Sequence, residues 1–228
     1  LTIASFSTCA PELAISFNSI ASGNSEMTLA NVIGSSIINI LLIIGISAIV
    51  KPIKLKERTI RRELPLLLII TTTFFFLMND SFFVSSAKNS LSRIDGIVLI
   101  IWFISFCLYI YSITRRHKEL ITVDTKYSKK QIIMKILVSI IGIIITSDLI
   151  VDSAVYIVNT LNISQKIIAM TIVVIGTSLP ELTITVLSAK KGEFDMAIGN
   201  IIGTNIFNFC IVLGLPVTLF GSVSSAAF

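Results

Sequence analysis

Seven long apolar segments, joined by short polar connections, occupy most of this 228-residue sequence. A helix needs about 20 mostly apolar residues to cross a hydrocarbon core of about 30 Å. Each segment comes close to that length, although Asn79 and Asp80 can end the third one early. We predict membrane-spanning helices at residues 1–21, 28–50, 64–84, 94–114, 132–159, 166–189 and 196–220.

The composition argues against a soluble helical protein. Hydrophobic residues make up 54% of the chain and charged residues 14%, and the mean hydropathy is +0.93. Helices around a soluble core need a polar face at helical spacing, and runs such as 37–44 and 140–145 have none. The sequence therefore predicts an all-α, polytopic protein embedded in a lipid bilayer.

The basic residues indicate which connections face the cytoplasm. Of the 18 Lys and Arg residues, 15 lie in or beside the connections that follow the second, fourth and sixth segments. Cytoplasmic loops of membrane proteins carry such an excess of positive charge. Because these residues do not form a patch with interleaved aromatic side chains, we expect no nucleic-acid partner.

An internal repeat relates the two ends of the chain. Residues 1–45 align without a gap onto residues 170–214, and 16 of the 45 pairs are identical. Many identities are unusual for a lipid-facing helix, such as the Pro-Glu-Leu sequences at 11–13 and 180–182. Five predicted crossings separate the copies, so they enter the membrane from opposite sides. Inverted repeats of this kind are typical of secondary transporters, whose sites lie near the membrane midplane.

The repeat divides the chain into two predicted units. Residues 1–131 hold the first repeat and the cytoplasmic connection at 115–131, and residues 132–228 hold the second repeat. A duplication with structural meaning only is the alternative, but it leaves two acidic residues within the membrane unexplained.

Those acidic residues are Glu12 and Glu181, each in the middle of a predicted span. A carboxylate at this depth costs several kcal/mol and is a functional hypothesis by default. Each follows a proline, Pro11 or Pro180, which donates no backbone N–H and crowds the carbonyl of residue i−4. The resulting break frees carbonyl oxygens, which are good ligands for hard cations.

Hydroxyl and amide side chains accompany both glutamates. One lies a helical turn before each glutamate, and the next span of each copy carries two more at i, i+4 on one face. These residues are Thr8, Ser35 and Asn39 in the first copy and Thr177, Thr204 and Asn208 in the second. Helix packing alone explains small hydroxyl residues, but their duplication beside a glutamate favours a ligand role.

The oxygen inventory suits a calcium ion. Ca²⁺ takes 6–8 oxygen ligands, and two carboxylates with two freed carbonyls supply six. The same oxygens can be shared among several Na⁺ ions, and protons should compete for a doubly negative site. Occluding such a site without a cation is costly, so we expect exchange instead of leak.

The stretches 7–13 and 176–182 resemble the two alpha-repeat signatures of the cation/calcium exchanger superfamily, particularly its prokaryotic sodium/calcium exchanger-like branch. Residues 30–39 and 199–208 resemble the continuations of those signatures. The resemblance implies a ten-helix antiporter in a prokaryotic plasma membrane. Since the chain opens on an apolar residue without Met, we expect a fragment that holds seven of the ten helices.

The resemblance also implies roles for individual residues. It implies four kinds of role: central Ca²⁺ ligand, donor of a backbone oxygen, member of a flanking Na⁺ site and amide lining of the site. The implied set is Glu12 and Glu181 as Ca²⁺ ligands, Thr8 and Thr177 as backbone donors, Ser178, Ser35 and Thr204 at Na⁺ sites, and Asn39 and Asn208 in the lining. Cys9 departs from the family's usual serine, and thiol sulfur is a poor partner for Na⁺.

The segment 148–154 resembles a gating helix of the family. Asp148 and Asp152 share one helical face there, and we assign them a stabilising or gating role, with direct ion contact as the alternative. The coupling ion, Na⁺ or H⁺, is left open by the sequence.

Other protein classes fit less well. The single histidine, His117, lies in a predicted loop, so we expect neither catalytic residues nor a cofactor. Three cysteines, each in an apolar stretch, do not predict a disulfide framework. A passive cation channel remains an alternative, and no obligatory protein partner is inferred.

Overall fold

The computed structural model describes residues 8–21, 25–80, 89–116 and 174–221. Further described positions are 6, 23, 128, 130–135, 137, 138, 141, 142, 145, 160, 223 and 224. His117, Asp148 and Asp152 lie outside the described residues, as do most of the predicted fifth segment and the start of the sixth.

The first repeat contains two helical arms joined by a tight turn. Helix α1 (Ala10–Ala21) ends shortly before Gly23, whose φ of +75° lies in the left-handed region that glycine adopts without strain. The second arm is helical throughout, running from α2 (Ser25–Ile37) through the π-helical turn π1 (Ile38–Ile43) into α3 (Ile44–Val50).

Helices α4 (Leu64–Met78) and α5 (Arg93–Arg116) follow the first repeat in the chain. The π-helical turn π2 (Thr59–Glu63) leads into α4, and the two-residue strand β1 (Ser90–Leu91) precedes α5. The side-chain amide of Asn79 donates 2.7 Å to a carbonyl in the last turn of α4. The helix thus ends at Met78 and not at residue 84.

The second repeat has the same succession of elements. They are α6 (Val174–Thr177), α7 (Leu179–Lys191), α8 (Phe194–Phe207), the π-helical turn π3 (Asn208–Leu213), α9 (Gly214–Phe220) and strand β2 (Val223–Ser224). Gly192, with φ of +80°, ends α7 as Gly23 follows α1. The duplicated sequence therefore folds twice into the same local plan, and the opposite orientation of the two copies stays a prediction.

Three described helices are long and apolar enough to cross a membrane. They are Met27–Val50, Arg93–Ile113 and Phe194–Phe220, which match the predicted second, fourth and seventh spans. Helices α1 and α7 have only 12 and 13 residues, because each begins after an interruption of the helical structure. The count of seven spans stays a prediction.

The two repeats pack directly against each other. Helices α1 and α2 contact π3, and α7 contacts both π1 and α3. Helix α5 packs lengthwise against α9 and also contacts π3. The π-helical turns π1 and π3 therefore each contact helices of the opposite repeat.

Two contacts between distant segments agree with the predicted sidedness. Lys56 forms an ion pair with Asp195, in the first turn of α8. Lys56 belongs to the connection after the second predicted span, and Asp195 belongs to the connection after the sixth. Both of these connections are predicted to be cytoplasmic. Strands β1 and β2 pair antiparallel, with Ser90 opposite Ser224, and both belong to connections predicted on the other side.

Candidate ion-binding site

The two glutamates lie at equivalent breaks in the helical structure. Cys9 forms a turn before α1, and Ser178, with φ of −84° and ψ of 0°, separates α6 from α7. The prolines that follow cannot donate a backbone hydrogen bond, which explains why the helices restart there. Glu12 and Glu181 consequently sit in the first turns of α1 and α7. The positive end of a helix dipole favours a carboxylate at this position.

All ten residues predicted as ligands are buried, with no more than 2% of their surface exposed. They come from the two breaks and from the ends of α2 and α8 with their π-helical turns. Burial of so many polar groups in one membrane-embedded bundle is costly unless they have partners or bind a ligand.

Contacts between the copies bring these residues together. The Cys9 thiol donates to Glu181 Oε1 at 3.8 Å. The Thr177 hydroxyl lies beside the Glu12 carboxyl, the Thr8 hydroxyl lies beside the Glu181 carboxyl, and the two carboxyl groups are near enough for their charges to interact. Glu12 and Glu181 therefore converge on one site, with each carboxyl next to a hydroxyl of the other copy.

The amide and hydroxyl residues of the second arms also meet across the repeats. Asn208 Nδ2 donates to Ser35 Oγ at 2.8 Å, which joins π3 to α2. The Asn208 amide oxygen consequently points elsewhere, since an amide plane carries its oxygen and nitrogen in different directions.

Several oxygen atoms of this group have no hydrogen-bond partner within the described part of the chain. They are Glu12 Oε2, Glu181 Oε2, Asn39 Oδ1, Asn208 Oδ1, Ser178 Oγ and Thr204 Oγ1. A buried polar atom without a partner costs about 1–3 kcal/mol. Oxygen atoms of these kinds are the ligands that hard cations such as Ca²⁺ and Na⁺ take in proteins.

Side-chain carboxylates and thiols alone do not complete a metal site here. Among the described residues, no group of three or more His, Cys, Asp and Glu side chains is arranged to hold a metal ion.

Two asparagines that the sequence analysis left without a role support the site. Asn31 Nδ2 donates to the backbone carbonyl of Glu12 at 3.2 Å, and Asn200 Nδ2 donates to Thr185 Oγ1 at 3.3 Å. They tie α2 to α1 and α8 to α7. The sequence could have revealed this role, because asparagine occupies the same position in both copies and a buried amide at a helix contact usually makes a hydrogen bond.

The π-helical turns are a second feature that the sequence analysis did not predict. Asn39 lies in π1 and Asn208 begins π3. Such turns are rare and frequently occur at functional sites, because the extra residue changes which side chains face the interior. Here they contribute one buried amide side chain from each copy, and the Asn208 amide donates to Ser35 Oγ.

The fold and the buried oxygen-rich site define an integral membrane protein of the transporter class. The model of the family described as "sodium/calcium exchanger protein" matches residues 1–112 and 132–227, and the chain belongs to this family. The family consists of transporters and not of enzymes. The sequence analysis likewise predicted no catalytic residues.

Sequence relatives include bacterial, archaeal and vertebrate proteins. The chain is 32% identical over 226 residues to the inner membrane protein YrbG of Escherichia coli (strain K12), covering 95% of this chain and 67% of the relative. It is 33% identical over 235 residues to the putative antiporter CaxA of Alkalimonas amylolytica, covering 100% and 71%. The sodium/calcium exchanger MaX1 of Methanosarcina acetivorans is 26% identical over 256 residues, with coverages of 94% and 71%.

The fold is similar to that of a solved transporter. The sodium-calcium exchanger NCX_Mj, soaked with Na⁺ and Ca²⁺, superposes with a TM-score of 0.74 and 29% sequence identity. The match covers 98% of this chain and 70% of NCX_Mj. The chain is thus a helical membrane protein of the cation/calcium exchanger type, and it spans about two thirds of the length of its relatives.

Proposed function

We propose that the full-length protein is a secondary antiporter. It exchanges Ca²⁺ for Na⁺ across a prokaryotic plasma membrane by alternating access. The observation that carries the proposal is the convergence of Glu12 and Glu181 from the two repeats in one buried, oxygen-rich site. Relatives named as a sodium/calcium exchanger and an antiporter support the same transport class.

The charge of the site favours competition between one Ca²⁺ and several Na⁺. The two carboxylates give a formal charge of −2, and the middle positions Asn39 and Asn208 are neutral amides. One Ca²⁺ or two Na⁺ balance that charge, whereas three Na⁺ leave +1 and make exchange electrogenic. Since Na⁺ carries half the charge, each ion needs fewer carboxylate oxygens, and the hydroxyls of Ser35, Ser178 and Thr204 complete its shell.

Coupling follows from the cost of a doubly negative site without a cation. Desolvation of two nearby carboxylates and their mutual repulsion oppose occlusion of that site. A bound Ca²⁺ or a set of Na⁺ removes this cost, so the protein changes its accessible side only when loaded. That requirement makes transport an exchange of one ion type for the other.

The test is Ca²⁺ uptake into vesicles that contain the full-length protein, driven in turn by an outward Na⁺ or H⁺ gradient. We expect uptake with the Na⁺ gradient. Uptake with the H⁺ gradient alone would instead assign a proton-coupled antiporter, and uptake without any counter-ion gradient would assign a passive channel.

Glu12→Gln and Glu181→Gln each remove one carboxylate while keeping the side-chain shape, and we expect either change to abolish exchange. Glu57→Gln is the matched control, because Glu57 is an exposed carboxylate in the connection after α3. Full Ca²⁺ uptake in both site variants would refute the proposed ligands.

A further inference from the structure

Cys9 brings the one sulfur atom to the group of predicted ligands. Its side chain is fully buried at the break before α1, and its Sγ lies 3.8 Å from Glu181 Oε1. The hydroxyls of Thr8 and Thr204 lie beside it, and the charge of Glu12 acts on it. The thiol is therefore surrounded by carboxyl and hydroxyl oxygens and not by apolar packing alone.

Two oxygen atoms on neighbouring residues are further candidates for binding a ligand. Glu181 Oε2 and Thr204 Oγ1 are buried and have no hydrogen-bond partner within the described part of the chain. With Cys9 Sγ they form a mixed set of one sulfur and two oxygens. Ca²⁺ and Na⁺ prefer oxygen, whereas softer divalent cations bind sulfur strongly.

We propose that Cys9 makes this site a binding site for thiophilic divalent cations of about the size of Ca²⁺, represented by Cd²⁺. The ion bonds to Cys9 Sγ and to the Glu181 carboxylate, with the Thr204 hydroxyl as a further ligand. Bond formation replaces the thiol proton, which leaves the site as H⁺. The inference rests on the proposed function only in using the same glutamate, and it extends the set of ions that the site accepts.

The other two cysteines provide an internal comparison. Cys210 is also fully buried, but it lies within π3 among apolar residues, and Cys107 lies on α5. Neither is a predicted ligand. A thiol-dependent Cd²⁺ signal therefore distinguishes Cys9 from Cys210 when each is changed separately.

The experiment compares the native full-length protein with the Cys9→Ser and Cys210→Ala variants in detergent. Cd²⁺ is added stepwise, and the ultraviolet charge-transfer absorption of the Cd²⁺–thiolate bond is recorded. We expect the absorption to saturate at one Cd²⁺ per protein, to persist in Cys210→Ala, to disappear in Cys9→Ser and to decrease when Ca²⁺ is added. Lack of absorption in the native protein, or its full retention in Cys9→Ser, would overturn the inference.

A transport measurement separates this inference from the proposed function. Cd²⁺ inhibition of Na⁺-driven Ca²⁺ uptake should require about a ten-fold higher Cd²⁺ concentration in Cys9→Ser than in the native protein. Equal inhibition of both, with uptake intact, would contradict the thiol site alone. Absence of Na⁺-driven Ca²⁺ uptake in both proteins, with the Cd²⁺ absorption retained in the native protein and lost in Cys9→Ser, would contradict the proposed exchange alone.

Discussion

Asn31 contacts the candidate ion site through the backbone of Glu12. Its amide donates to the Glu12 carbonyl at 3.2 Å and thereby fixes the first turn of α1 against α2. We expect Asn31→Ala to weaken Ca²⁺ binding about ten-fold, since a lost hydrogen bond of about 1.4 kcal/mol would loosen the carboxylate's support. Calorimetric titration with Ca²⁺ measures the effect.

The control for Asn31 is Asn18→Ala. Asn18 lies on the exposed side of α1, so its removal should leave the binding constant unchanged. Equal Ca²⁺ affinity in both variants and the native protein would show that the Asn31 hydrogen bond does not support the site.

Cys9 should also affect Na⁺. Cys9→Ser replaces a soft sulfur with a hard oxygen of similar geometry, which is a better Na⁺ ligand. We expect half-maximal Ca²⁺ exchange at a lower Na⁺ concentration in this variant, measured by Na⁺ titration of Ca²⁺ flux in vesicles. An unchanged titration curve would contradict a Na⁺-ligand role for position 9.

At this scale the sequence predicted the glutamates because Pro-Glu pairs within apolar segments are chemically conspicuous and occur twice. It did not predict which hydroxyl would lie beside which carboxyl. That arrangement depends on the packing of α6 and α7 against the first repeat, and neither periodicity nor composition specifies distances between helices.

Among the elements, α5 and α9 make an unusually close crossing. A Cβ added at Gly96 would lie 2.7 Å from the Gly214 carbonyl oxygen and would also collide with the Thr218 hydroxyl. A Cβ at Gly214 would lie 3.1 Å from Leu99 Cβ. Close helix approach through small residues is a common means of association in membranes.

We therefore expect Gly96→Ala to destabilise the protein by about 1–3 kcal/mol, because the backbone of α9 must move to admit the methyl group. Thermal unfolding in detergent measures the change. Gly45 is the repeat-matched control, since it corresponds to Gly214 and an added Cβ meets nothing within 4 Å. A loss of stability in Gly45→Ala equal to that in Gly96→Ala would contradict the close crossing.

The lengths of the elements show where sequence analysis of helices is limited. The predicted segment 28–50 matches a helix of nearly the same extent, but nothing in its apolar residues indicated the π-helical turn at Ile38–Ile43. Such a turn adds one residue per hydrogen-bonded ring and depends on tertiary contacts. The prolines, by contrast, predicted the breaks before α1 and α7, because their effect on the helix is local.

For the whole molecule, strands β1 and β2 join the connection after α4 to the end of the second repeat. Antiparallel partners have Cα atoms about 4.5–5.5 Å apart, which suits a disulfide. We expect cysteines introduced at Ser90 and Ser224 to form a disulfide on the non-cytoplasmic side, detected by altered mobility on a non-reducing gel. Cysteines at Ser90 and Thr218 serve as the control pair.

The same double-cysteine variant also tests the membrane orientation that we inferred from the basic residues. If a membrane-impermeant thiol reagent added outside intact cells labels the reduced pair, the predicted sidedness is correct. Labelling only after the membrane is opened would reverse the orientation and place Lys56 and Asp195 outside the cytoplasm.

In the site described above, Thr177 of the second copy lies beside Glu12 of the first, and Thr8 lies beside Glu181. Neither half of the chain alone therefore supplies the full surroundings of either carboxyl. We expect a substitution at one of these threonines to be compensated most directly in the opposite half, more than 160 codons away. We therefore expect the two halves to change together during evolution, even though each folds by its own local rules.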